Sequence, residues 1–170
     1  MGNCCNKDNR DLSTNFDHIA SDEFQDPYDV LRGRLTTDPE HIRKHGPSRQ
    51  QPLQEIPRHL VKLENIINQK TNNKPDLSLY RDAYVLPPFE LYKDCFYFGQ
   101  WKDGQKHGIG KLYFPDHSAY WGEFYSGQAE GEGRLYHPNG DLYIGDWKGD
   151  KSHGSGKYIA ANGAVYEGKW

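Results

Sequence analysis

The chain has 170 residues, a formal net charge of −3, and 14% aromatic residues. Both halves are close to neutral, which leaves no electrostatic case for nucleic acid and no polybasic tract for an anionic lipid surface. The mean hydropathy of −0.98 is very polar, yet 12 tyrosines and 18 glycines argue against a disordered chain, which lacks rings, and for short strands and turns held by aromatic contacts.

No run of about 18 apolar residues is present, so no helical span is expected. No secretory h-region follows Met1, and Cys4, Cys5 and Cys95 do not make a disulfide framework, so a reducing cytosolic setting is expected. The chain begins MGNCCNK. Removing Met1 exposes Gly2, the acceptor for N-myristoylation, with Asn6 standing where Ser or Thr is usual. One myristoyl chain binds membrane with only about 10⁴ M⁻¹, so a second signal is needed. Lys7 and Arg10 are offset by Asp8 and Asp11, which leaves Cys4 and Cys5 as palmitoylation sites. The bland alternative is an accidental Met-Gly start and Cys-Cys pair. Exposed thiols have no structural use in a polar tail, so the lipid anchor is the expectation: a peripheral protein on the cytoplasmic face of a membrane.

Residues 6–52 are polar without a sustained period. Within them TTDPEHIRKHG predicts a short helix, capped by Thr37 or Asp38, with Pro39 in the first turn and Gly46 as the stop. His41 and His45 stand at a metal-binding spacing, but the glutamate and third ligand of a zinc site are missing, so a solvated helical face is expected. PRHLVKLENIINQK predicts a second helix, with Ile56, Leu60, Leu63 and Ile67 in one apolar stripe. A lone helix of about 14 residues is marginal in water. The stripe is therefore expected to dock, on an edge or face of the protein's own sheet. PDLSLYRDAYVLPPF reads as an extended connector through Pro87 and Pro88.

From Tyr97 a unit of 23 residues recurs without gaps, starting again at Tyr120, Tyr143 and Tyr166. Each unit opens Tyr-x-Gly-x-aromatic: Tyr97/Gly99/Trp101, Tyr120/Gly122/Phe124, Tyr143/Gly145/Trp147 and Tyr166/Gly168/Trp170. Residues two apart share a face of a strand, so both rings and the glycine between them point one way, and the bare Cα leaves room for a neighbouring ring. A loop ending in Gly-x-Gly follows, then a second strand, then a tight turn. The Asn-Gly pairs at 139–140 and 162–163 signal hairpins in which both turn positions need positive φ. Asp150 in place of Gly104 and Gly127 predicts a differently shaped third loop, and His117 in place of the turn glycine predicts a less ideal first tight turn.

FELYKDCFY from Phe89 aligns under LYFPDHSAY from Leu112. The hairpins are thereby expected at 88–101, 110–124, 133–147 and 156–170, and in this phase Trp170 closes the fourth. The organisation read from the chain is a lipid-anchor and polar, largely disordered tail over 1–52, an amphipathic helix and connector over 53–87, and a repeat sheet over 88–170. The fold class is mostly β: one elongated antiparallel meander of about eight strands, with one or two short helices before it.

The recurring rings and glycines resemble the MORN (membrane occupation and recognition nexus) repeat. The resemblance implies a non-enzymatic, membrane-tethered scaffold that binds a protein partner through its sheet and links membrane to cytoskeleton or cilium. Tyr97, Trp101, Tyr120, Phe124, Tyr143, Trp147, Tyr166 and Trp170 are the contacts or the core. Some members associate with phosphoinositides, and such repeats occur fused to phosphoinositide kinases. The alternatives are therefore a regulatory subunit or accessory region of such a kinase, and a soluble axonemal assembly factor without lipid. The free edge of the last strand suggests a homodimer. No cofactor, no metal and no nucleic acid are expected. His107 and His153 recur with the period and read as surface positions, and nothing assembles a nucleophile, a base and an oxyanion donor.

Overall fold

The computed structural model describes residues 34–53 and 80–170. The leader with Gly2, Cys4 and Cys5 and the stripe Ile56, Leu60, Leu63 and Ile67 lie outside them. The described residues form one helix, α1 (Pro39–His45), and eight strands: β1 (Tyr84–Tyr92), β2 (Cys95–Lys102), β3 (Gln105–Tyr113), β4 (Ala119–Tyr125), β5 (Gln128–Tyr136), β6 (Leu142–Lys148), β7 (Lys151–Ile159) and β8 (Val165–Lys169). The strands lie in one sheet in chain order, each antiparallel to the next. The protein is mostly β, an open antiparallel meander with one short helix, as the 23-residue period predicts.

The turns differ from the sequence reading. The expected loops before Gly-x-Gly do not exist, because the strands run on to two-residue turns. Asp103–Gly104, Ser126–Gly127 and Gly149–Asp150 all have positive φ at both positions, the requirement of a type I′ turn that matches strand twist. Asp150 takes φ +65, so the third turn has the shape of the other two. At the Asn-Gly turns only the glycine is left-handed, Gly140 at +94 and Gly163 at +87. The asparagine serves differently: Asn139 Oδ1 accepts from the Asp141 N–H and Asn162 Oδ1 from the Ala164 N–H, both at 3.0 Å. Asp116 does the same for Ser118 at 2.9 Å. Its neighbour His117 reaches φ +66 and donates to Phe114 O at 3.0 Å, as Gly140 donates to His137 O at 2.9 Å. The first tight turn is therefore built like the others.

Pro87 and Pro88 are not a connector. They lie inside β1, at the irregularity between Leu86 and Phe89 where the pairing with β2 shifts. Proline cannot donate to a ladder, and an edge strand with a bulge is where a sheet accommodates it. The outer side of β1 is partly covered, by bridges Leu35–Val85 and Pro52–Phe89. The helix α1 forms as read, with Asp38 accepting from the Glu40 N–H at 3.0 Å and Gly46 closing the last turn on Ile42 O.

Candidate functional site

The rows across the sheet define a ring face. One row alternates Tyr97, Leu112, Tyr120, Leu135, Tyr143, Tyr158 and Tyr166 in direct register. Beside it runs a row of glycines only: Gly99, Gly110, Gly122, Gly133, Gly145, Gly156 and Gly168. Tyr97, Tyr120, Tyr143 and Tyr166 arch over this glycine row. Tyr97 Oη donates to Gln100 O at 2.8 Å, Tyr120 Oη to Glu123 O at 3.0 Å and Tyr143 Oη to Asp146 O at 3.0 Å. The accepting carbonyls sit where the ladder shifts register after Gly99, Gly122 and Gly145, so the phenol satisfies a backbone group at the irregularity. Burial holds the Tyr97 and Tyr120 phenols well above their usual pKa, which keeps them donors.

Sequence reasoning missed the residue after each of these glycines. Gln100 Oε1 accepts from the Ile109 N–H at 2.8 Å, Glu123 Oε1 from the Glu132 N–H at 3.4 Å and Asp146 Oδ2 from the Ser155 N–H at 2.8 Å. The signal was present as an acceptor side chain recurring at that place in three units.

All eight expected rings form one edge-to-face chain. Its order is Trp101, Tyr97, Phe124, Tyr120, Trp147, Tyr143, Trp170, Tyr166, with centroids 4.8–5.4 Å apart. Each such pair contributes about 0.5–1.5 kcal/mol beyond area burial. Six of the rings are buried, whereas Tyr166 and Trp170 are 54% and 43% exposed. The buried rings are the core of the sheet.

A groove of about 320 Å³ opens on the ring face, between Leu112, Phe114, Leu135, Phe124, Lys106 and Asp150. Cys95 also lines it; burial pushes its thiol pKa up, so it is not poised as a nucleophile. Among the described residues no group of three or more His, Cys, Asp or Glu could hold a metal ion.

The family model of the MORN repeat matches residues 97–119, 120–142 and 143–165. The chain carries three consecutive MORN repeats. A comparison with curated proteins gives no match. The sheet exceeds the matched span on both sides: β1 and the start of β2 precede the first MORN repeat, and most of β8 follows the third.

The MORN repeats are also stitched along their two-residue turns. Gly127 N–H donates to Lys106 O at 2.9 Å, and Asp150 N–H to Ala129 O at 3.1 Å. Ahead of the first MORN repeat, Gly104 N–H donates to His45 O at 3.0 Å instead. The end of α1 thus stands in for the turn of a preceding repeat. The next turn amide follows the same rule: Asp103 N–H points to His45 Nδ1 and Ser126 N–H to His107 Nδ1, both at 3.5 Å, and Gly149 N–H donates to Glu130 Oε2 at 3.0 Å.

His45 and His107 are therefore not the solvated positions the sequence suggested. They are 7% and 8% exposed, His45 stacked on Tyr84 with centroids 4.4 Å apart and His107 against Tyr125 at 5.1 Å. Burial lowers both pKa values below 6.5, with Lys44 and His41 adding and Asp103 opposing at His45, and Lys102 adding and Asp82 and Asp103 opposing at His107. The unfolded chain takes up these protons first, so stability is expected to fall as pH drops from 6.5 through the lower folded-state values. Thermal melts between about pH 8 and pH 5 are expected to show that decline, flattened in a His45→Gln/His107→Gln variant. A wild-type melting temperature that does not move over this range contradicts the burial of neutral imidazoles.

Proposed function

We propose that the protein is a non-enzymatic scaffold, tethered to a membrane by its leader, that binds a segment of a partner protein along the ring face. The carrying observation is the apolar groove between Leu112, Phe114 and Leu135, set on a rigid aromatic row and lacking a metal-ligand cluster among the described residues. Preformed apolar clefts with a few polar groups are the usual form of a recognition site. MORN repeats are typically non-catalytic and often membrane-associated, which supports both parts of the reading. No helix of the described residues is long and apolar enough to cross a membrane; the attachment proposed is by acyl chains on Gly2, Cys4 and Cys5. A link to cytoskeleton or cilium rests on the resemblance to such scaffolds.

The intact mass of the native protein tests the tether. The expected mass exceeds that of the bare chain lacking Met1 by one myristoyl and at least one palmitoyl group. Gly2→Ala is expected to move the protein from the membrane pellet to the supernatant. An unacylated mass, or the same partition for both proteins, removes the tether and leaves a soluble scaffold.

A further inference from the structure

Lys106 breaks the repeat. Its equivalents 23 and 46 residues on are Ala129 and Ser152, and the sheet closes around those without a charge. The Lys106 side chain lines the ring-face groove, paired across the ladder with Trp101, with its Nζ 5.0 Å from the centre of the Phe124 ring. Among the described residues no carboxylate stands within ion-pair distance of it. Asp150 lines the same groove but has Oδ1 engaged by the Ala129 N–H at 2.8 Å. Burial depresses the Lys106 pKa, with Asp150 opposing. A part-buried ammonium with no ion pair among the described residues is costly, and the equivalent repeats show that the fold does not require it.

We propose that Lys106 is the specificity residue of the groove: it selects a partner segment that places one carboxylate between bulky apolar side chains. This deepens the scaffold reading and rests on it. The apolar walls at Leu112, Phe114 and Leu135 take the flanking side chains, and the part-buried ammonium takes the acid. A phosphate is a poorer occupant. It brings nearly two negative charges to a single cation with Asp150 nearby, and a lone lysine lacks the bidentate fork that suits phosphate.

The experiment is selection of a displayed random-peptide library on the full-length protein and, in parallel, on Lys106→Gln. Wild type is expected to enrich peptides with Asp or Glu at a fixed spacing from apolar residues, and Lys106→Gln to enrich peptides without the acid. A synthetic wild-type consensus peptide is expected to bind Lys106→Gln about tenfold more weakly, the loss of a charge-assisted bond, and to bind Asp150→Asn more tightly. Melting of Lys106→Gln is expected to match or exceed wild type, whereas a lysine kept for packing on Phe124 would lower it. A wild-type consensus without an acid overturns the proposal and leaves the groove as a site. Enrichment of nothing by either protein overturns the groove reading as well. Equal affinity for wild type and Lys106→Gln overturns the role of Lys106. Should Lys106→Gln fail to fold, the proposal fails if Asp150→Asn binds the consensus no more tightly than wild type.

Discussion

Phe124→Ala is expected to lower the unfolding free energy by about 3–5 kcal/mol, the range for deleting a buried ring. Phe124 is 0% exposed. It meets Tyr97 and Tyr120 edge-on at 5.2 and 5.1 Å, so it links two repeats. Across the ladder it faces Gly108 on β3 and Ala129 on β5. Neither can swing into the space left behind, so the cavity persists and the full cost is felt. Repeat sheets are stabilised by nearest-neighbour interfaces, and this change breaks the interface in the middle of the array. Urea unfolding is the measurement. The midpoint should fall with little change in slope if the sheet still unfolds as one unit, and a second transition should emerge if the two halves uncouple. A loss under about 1 kcal/mol would mean that the rings pack separately.

Gly122→Ala is expected to be nearly as damaging, about 3 kcal/mol at the upper end of overpacking. Its Cβ would lie 2.5 Å from Glu132 O, 2.5 Å from Gly133 Cα and 2.6 Å from Tyr120 Oη. Two of those atoms are backbone of β5, so relief requires β4 and β5 to separate. Moving the phenol aside does not help, because it gives up the bond to Glu123 O and opens the ladder irregularity to no partner. Gly127→Ala is the control. That glycine has φ +88 and nothing within 4 Å of a Cβ, so its cost is backbone strain alone, about 1–2 kcal/mol. Melting temperatures should rank wild type above Gly127→Ala and Gly127→Ala above Gly122→Ala. The reverse order would show that the close approach of strands and rings at Gly122 costs less than left-handed backbone strain at Gly127.

Much of this architecture was legible because it is local and periodic. The spacing Tyr-x-Gly-x-aromatic puts Tyr120, Gly122 and Phe124 on one face by strand geometry alone. Its recurrence every 23 residues forces the same face in every unit, so the ring chain follows. The caps of α1 were equally local, Asp38 and Gly46 flanking Pro39. Turn detail was less legible. Asn-Gly is compatible with two turn types, and the choice between them fell to the Asx bond of Asn139 and Asn162. Asp150 stood out in place of Gly104 and Gly127, but the differently shaped loop read from it does not form, because the aspartate takes the left-handed conformation and its Oδ1 accepts from the Ala129 N–H, a long-range partner that the sequence does not show.

The sequence by itself determined the meander, its phase and the identity of its rings, since each depends on residues a few positions apart. Only the tertiary structure decided that α1 occupies the place of a preceding repeat, because His45 meets Asp103 and Gly104 across 58 and 59 residues with no periodic signal. It also decided that Lys106 faces the groove with no carboxylate within ion-pair distance among the described residues. Long-range pairing is set by which backbone groups still lack a partner once local structure has formed, and that remainder is a property of the folded sheet.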